Sequence, residues 1–261
     1  MTRLDIVIVG RLIGAIMFPL RVSVPTRFPP AVTYALIAIN SIVFLFQESL
    51  PEQSQLAFTY TYGLVPARYT HPEWALSVGL SSWDFLPFVT NTFMHGGWLH
   101  LILNMWTLWL FGPAVEDRLG STRYLLFYLL CGVAASAAHA WMNAESTVPA
   151  LGASGAIAGV LGAYMRLFPF SNVLILIPII FIPFFFPLPA FIYIALWFVM
   201  QVVQGLGSTL VPQAGGIAWW AHIGGFLAGM LLVPLLCCAP RTYRDYYGDE
   251  GVMGFRTRGE R

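Results

Sequence analysis

Gly152-Ala153-Ser154-Gly155-Ala156-Ile157-Ala158-Gly159-Val160-Leu161-Gly162-Ala163-Tyr164 is a run of small and apolar residues with a single hydroxyl near its head. Ser154, Ala158 and Gly162 recur at i, i+4 and i+8, with Gly155 and Gly159 alongside, so the run predicts a helix with a face of small residues. Taken alone, a serine at the start of such a helix is a cap whose oxygen accepts a free backbone N–H. Anything more has to come from what the rest of the chain brings to it.

The 261 residues are 58% hydrophobic and 10% charged, with a mean hydropathy of +0.73. These values lie outside the range of soluble domains and indicate an integral membrane protein. At about 20 apolar residues per crossing, the chain has room for roughly six or seven helices in one bundle. A net charge of +1 argues against a nucleic-acid partner. Cys131, Cys237 and Cys238 sit in apolar segments without C-x-x-C spacing, which indicates neither a disulfide framework nor a zinc site.

Helices are expected at about Ala31–Gln47, Trp98–Phe111, Arg123–Trp141, Ser154–Phe168, Ala190–Gln204 and Trp219–Leu236. Residues 1–30 read as a cytoplasmic leader, 31–238 as the membrane domain and 239–261 as a cytoplasmic basic tail. Arg11 splits the apolar part of residues 1–16 and no small-residue cleavage site follows, so these make a poor signal peptide; a start at Met17 is the alternative. Residues 48–94 are the longest connection and read as a partly buried interfacial loop. The very apolar stretch 172–187 carries three prolines, which break a continuous helix and leave a re-entrant or interfacial piece.

All thirteen basic residues are arginine. With six spans and a cytoplasmic N-terminus, only Arg68 falls outside, as the positive-inside rule requires. Both termini are then cytoplasmic, and the second, fourth and sixth helices run inward. His100 and Asn104 on the second, Ser154 on the fourth and His222 on the sixth all lie near the outer ends, at comparable depth. His222, Gly225 and Gly229 recur at i, i+3 and i+7, a second small-residue face that can pack on the first. Polar groups inside a membrane are costly, so such a cluster reads as a functional site.

The chemistry these residues offer is nucleophilic: an imidazole takes the serine proton and later protonates the leaving amine. Because no Asp or Glu lies within an expected span, a Ser154–His222 dyad is the natural arrangement. Asn104, His100 and the Ser154 N–H are candidate donors to an oxyanion.

His95-Gly96-Gly97-Trp98-Leu99-His100-Leu101-Ile102-Leu103-Asn104, Gly152-Ala153-Ser154-Gly155 and Gly216-Ile217-Ala218-Trp219-Trp220-Ala221-His222-Ile223-Gly224-Gly225 together resemble the rhomboid family of intramembrane serine proteases, over about residues 17–238. The resemblance implies an all-α, six-transmembrane-helix bundle with a long, partly membrane-embedded first loop. It implies cleavage of peptide bonds in or near transmembrane segments of other membrane proteins, in a multi-pass protein of the bacterial inner membrane, with no metal or cofactor. By the family motif Ser154 is the nucleophile, His222 the general base, and His100 with Asn104 line the oxyanion hole, while His95 and Gly152 take structural or water-access roles. Glu116 and Arg118 are expected to make structural contacts in a cytoplasmic turn.

Two positions depart from the family pattern. Some members carry a tyrosine four residues after the serine, packed on the catalytic histidine; here it is Ala158, leaving Trp219 and Trp220 as candidate neighbours of His222. In the first loop the family's Trp-Arg pair is absent, because Trp83 is followed by Asp84. Trp197 and Gln201 share one face of the fifth helix and read as packing or as lining of a lateral substrate entrance.

Other functions fit less of the sequence. His71 reads as a loop residue. His139 with His100 or His222 would suggest bis-histidine haem ligation, in which Gly-Ala-Ser-Gly has no part, and the metalloprotease motif H-E-x-x-H is missing. A non-catalytic scaffold that binds transmembrane helices would be expected to lose Ser154 or His222. A transporter is favoured by broken helices, but no ionisable path crosses the chain's spans.

Overall fold

The computed structural model describes residues 18–179, 182–210 and 218–237. Residues 1–16 of the leader, the alternative start Met17, Cys238 and the tail 239–261 lie outside the described residues, as does most of the loop before Trp219. The bundle consists of α1 (Ala31–Ser49), α2 (Trp98–Leu119), α3 (Ser121–Met142), α4 (Ser154–Leu167), α5 (Ala190–Leu210) and α6 (Trp219–Leu236). All but α4 are long and apolar enough to cross a membrane. With 14 residues α4 is the shortest of the six, yet every residue from Gly155 to Tyr164 is buried. A helix apolar and buried on all sides is one surrounded by others.

Small residues make that central position possible. A Cβ added to Gly225 or Gly229 of α6 would overlap the carbonyl of Gly155 or Gly159 of α4, and the matching order of the pairs shows that the two helices are parallel. On the other side, a Cβ on Gly155 or Gly159 would come within 2.5 Å of Ala135 or Cys131 of α3. The contact row on α4 is therefore Gly155, Gly159 and Gly162, displaced around the helix from the expected Ser154, Ala158 and Gly162. That displacement leaves Ser154 at the edge of the interface, half-buried, with its hydroxyl available.

α2 extends past its expected end at Phe111, through Pro113 to Leu119, and stops at Gly120, whose φ of +81° suits glycine. Glu116 and Asp117 thus lie in a helix rather than a turn, about 18 Å along the axis from Asn104. Glu116 has the structural role expected of it. Its carboxylate accepts hydrogen bonds from Val32 N (2.9 Å), Thr33 N (2.8 Å) and Thr33 Oγ1 (2.8 Å). It thereby caps the first turn of α1, whose N-cap Pro30 has no side-chain acceptor.

The proline-rich stretch after α4 is a β-hairpin, a form the sequence reading did not anticipate. β2 (Asn172–Ile179) and β3 (Ile182–Pro189) pair antiparallel, and β1 (Phe18–Val22), from the end of the leader, adds to the other side of β2. Pro183, Pro187 and Pro189 all lie at alternate positions of the edge strand β3, where a missing N–H is tolerated on the open side. Trp106 of α2 fastens β1, its Nε1 donating to Pro19 O at 2.8 Å and its ring stacking on Phe18.

The first loop carries short helices at Glu52–Tyr62, Ala67–Thr70, Pro72–Ser77 and Pro87–Thr90. Leu76, Trp83 and Leu86 remain exposed on it, as suits a segment resting in an apolar medium. Asp84, standing where the family has arginine, receives its cation from elsewhere in the loop: buried Arg68 donates to Asp84 Oδ2 (2.8 Å), Ser81 O (2.7 Å) and Thr61 O (3.2 Å).

Candidate active site

Ser154 is the first residue of α4; the N-cap position belongs to Ala153, and no side-chain cap bond is made there. Gly152 turns the chain into the helix with φ +128°, a conformation strained for any residue with a Cβ, and its N–H donates to Asn91 O at 2.9 Å. Instead of capping, the hydroxyl lies 2.8 Å from His222 Nε2. The parallel, backbone-to-backbone contact of α4 and α6 brings the two side chains together, because each stands at the first turn of its helix.

His222 is 8% exposed, and aromatic rings pack around it: Trp197 at 6.0 Å between centroids and Trp219 edge-on at 6.2 Å. Trp219 is thus the neighbour the sequence suggested, whereas Trp220 turns toward Gly205 of α5. The polar contact comes from Gln201, whose Oε1 is 2.7 Å from His222 Nδ1. Trp197 and Gln201, one turn apart on α5, are therefore placed against His222, where the sequence assigned them to packing or to an entrance.

His100 and Asn104 share one face of α2. The His100 ring covers Gly152 so closely that a Cβ there would lie 2.7 Å from Cε1 and 2.8 Å from Nε2, and 3.6 Å from Ser154 Oγ. Glycine at 152 is thus required by both its backbone angle and its neighbour. Asn104 Nδ2 is buried and, among the described residues, has no hydrogen-bond acceptor. A buried unpaired donor is suited to receive an oxygen that arrives with a ligand.

His95 is buried outside the helix and braced through its backbone: its N–H donates to Gln47 Oε1 (3.2 Å), and its carbonyl accepts from Gln47 Nε2 (3.3 Å). Burial, with His100 beside it, pushes its imidazole down to about 3, so the ring is neutral. Of the other two histidines, His71 pairs with Glu145 at the surface, while His139 Nδ1 accepts from Asn143 Nδ2 at 3.3 Å and its residue lines a cavity shared with Ser154.

Asn91, which the sequence reading passed over, also supports the site. Beyond accepting from Gly152, it donates to Ser136 Oγ at 2.9 Å, tying the end of the first loop to α3 behind the serine. Asn91, Thr92, Ser136 and His139 contribute polar groups to a cavity of about 20 Å³ that reaches Ser154, room for a single water. Its only signal in the sequence was an amide just before the His95 motif.

The Rhomboid domain matches residues 82–239, which include Ser154, His222, His100 and Asn104. The chain is 29% identical over 208 residues to Rhomboid protein 1, mitochondrial, of Saccharomyces cerevisiae, covering 78% of this chain and 52% of that protein. It is 35% identical over 140 residues to Rhomboid protease GluP of Bacillus subtilis, covering 52% and 24%. It is 30% identical over 167 residues to Rhomboid-like protein 11, chloroplastic, of Arabidopsis thaliana, covering 60% and 55%. The chain thus spans about half the length of the yeast and plant relatives and a quarter of GluP. A domain match over more than half of the sequence, carried on a bundle of apolar helices, makes this multi-pass membrane protein a member of the rhomboid family.

Proposed function

We propose that this chain is an intramembrane serine endopeptidase that cleaves peptide bonds in or near transmembrane segments of other membrane proteins. The observation that carries this reading is the 2.8 Å approach of Ser154 Oγ to His222 Nε2. As Ser154 Oγ bonds to the scissile carbonyl carbon, its proton passes to His222 Nε2 and the carbonyl oxygen becomes an oxyanion. Asn104 Nδ2–H, His100 and the Ser154 N–H are the donors that surround this oxygen. When the intermediate collapses the C–N bond breaks, and His222 returns the proton to the departing amine. Water then attacks the acyl-enzyme with His222 again as base, and the polar cavity beside Ser154 can hold that water.

Helix length favours an intramembrane position for this chemistry. The 14 residues of α4 span about 21 Å, less than the roughly 30 Å hydrocarbon core, so Ser154 sits below the outer surface when Arg166 lies at the inner one. The arginine distribution supports cytoplasmic termini and an outward-facing site, in what we take to be a bacterial inner membrane. Substrates are helices that unwind readily, because a regular helix keeps its carbonyls in hydrogen bonds.

The test is cleavage of single-span substrates in proteoliposomes by wild type, Ser154→Ala and His222→Ala. Cleavage by wild type alone, favouring spans with Gly or Pro near the cut, is expected. Intact substrate with wild type across many candidate spans, or equal cleavage by all three proteins, would overturn the reading and favour a helix-binding scaffold.

A further inference from the structure

We infer that Gln201 is the positioning residue of this site, selecting the His222 tautomer that can act as a base; this rests on the protease reading above. A neutral imidazole carries its proton on one nitrogen only, and it can accept the Ser154 proton only if that nitrogen is Nδ1. The described residues place no carboxylate at His222 to enforce this choice, and α4 offers Ala158 where a stacking ring could have stood.

Gln201 fills the role through a chain of bonds with one direction. Its Nε2 lies 3.3 Å from the backbone carbonyl of Trp197, one turn earlier on α5. A carbonyl only accepts, so the Gln201 amide must turn its NH2 toward Trp197 and its Oε1 toward His222. Oε1 only accepts, so at 2.7 Å it requires the proton on His222 Nδ1. Nε2 is then the acceptor facing the Ser154 hydroxyl at 2.8 Å. Trp197 O, Gln201, His222 and Ser154 thus form a relay in which each bond fixes the next.

Burial makes the arrangement selective. Gln201 and His222 are 5% and 8% exposed, so neither has ready access to a substitute partner from solvent. A neutral amide also suits a membrane interior, where an ionised carboxylate in the same place would be costly. Its location on α5 matters too, since Ser154 and His222 belong to helices locked backbone to backbone. Tautomer control is therefore supplied from outside the α4–α6 pair.

Two measurements test the assignment. The first is 15N NMR of histidine-labelled protein in phosphatidylcholine–phosphatidylglycerol vesicles, with the His222 signals identified by their loss in His222→Ala. Wild type is expected to show the Nδ1–H tautomer, and Gln201→Leu a mixture or the Nε2–H form. The second is the rate of Ser154 labelling by a fluorophosphonate. Gln201→Leu should lower the maximal rate by roughly ten- to a hundredfold with little change in half-saturating concentration, as expected for a lost hydrogen bond to a buried reacting group. Gln201→Glu, whose protonated acid keeps a donor toward Trp197 O and an acceptor toward His222 Nδ1, should restore most of the rate.

An Nε2–H tautomer in wild type would overturn the inference whatever the variants do. So would a Gln201→Leu protein, folded by its melting curve, with unchanged tautomer and maximal rate. Absence of Ser154 labelling in wild type would instead count against the protease reading, and the tautomer measurement would still decide the role of Gln201.

Discussion

The carbonyl of Gly155 occupies the space that a side chain on Gly225 would need, so α4 and α6 touch backbone to backbone one residue away from Ser154. This contact sets how far the Ser154 hydroxyl stands from His222. Gly225→Val should push α6 away from α4 and reduce substrate cleavage at least a hundredfold, with overpacking costing about 1–3 kcal/mol or more of stability. Gly207 has open space around its Cβ position, so Gly207→Ala should leave both cleavage and thermal unfolding close to wild type.

Asn104 separates stability from activity. Its buried Nδ2 has no acceptor among the described residues, so Asn104→Leu should leave the melting temperature unchanged or raise it. Loss of an oxyanion donor should nevertheless lower kcat by about a hundred- to a thousandfold. Equal kcat in a folded Asn104→Leu protein would remove this residue from the oxyanion hole.

His95 should make the fold sensitive to acid. Its imidazole is held down to about 3 by burial and by His100, against an ordinary value of 6.5. As pH falls below 6.5, the unfolded chain takes up a proton at this position that the folded chain refuses, so stability declines through that window toward 3. His95→Phe keeps the packing against Phe44 and removes the titration. Its melting temperature should fall less steeply than wild type between pH 7 and pH 4, in a scan of otherwise identical samples.

Glu116 should matter to folding more than to chemistry. Besides the three bonds that cap α1, it accepts from Ser121 Oγ at 2.7 Å, so Glu116→Ala strands several donors. A loss of at least about 2 kcal/mol is expected in thermal or denaturant unfolding. Glu116→Gln, which keeps one acceptor oxygen, should lose less. Protein that remains folded should retain wild-type kcat, because this carboxylate is about 18 Å along α2 from Asn104.

The features legible in the sequence were those that depend on depth and helical spacing. Arginine distribution fixed which helix ends belong together, and small-residue repeats identified the two helices that meet, so the Ser154–His222 pair could be read without coordinates. Glycine spacing alone did not show which row of α4 makes the contact, since Ser154–Ala158–Gly162 and Gly155–Gly159–Gly162 are adjacent on the helix. Gln201 was visible as an amide on an apolar helix, but its partner depends on how α5 rotates against α6. The sheet was hidden for a different reason. Pro183 and Pro187, which would break a helix, are compatible with the edge strand β3, Pro178 lies in β2 beyond the part paired with β1, and β1 pairs with β2 across about 150 residues of intervening chain. α2 differs in the opposite sense, carrying Pro113 inside and continuing past its expected end at Phe111 to Leu119.

The central claim is that Ser154 is a nucleophile activated by His222. The most direct measurement is mass spectrometry of the vesicle-embedded protein after exposure to a fluorophosphonate, with His222→Ala treated in parallel. A single adduct on the peptide containing Ser154 in wild type, absent or at least a hundredfold slower in His222→Ala, is the predicted result. A folded wild-type protein with no adduct at Ser154, or equal adduct in both proteins, would contradict it.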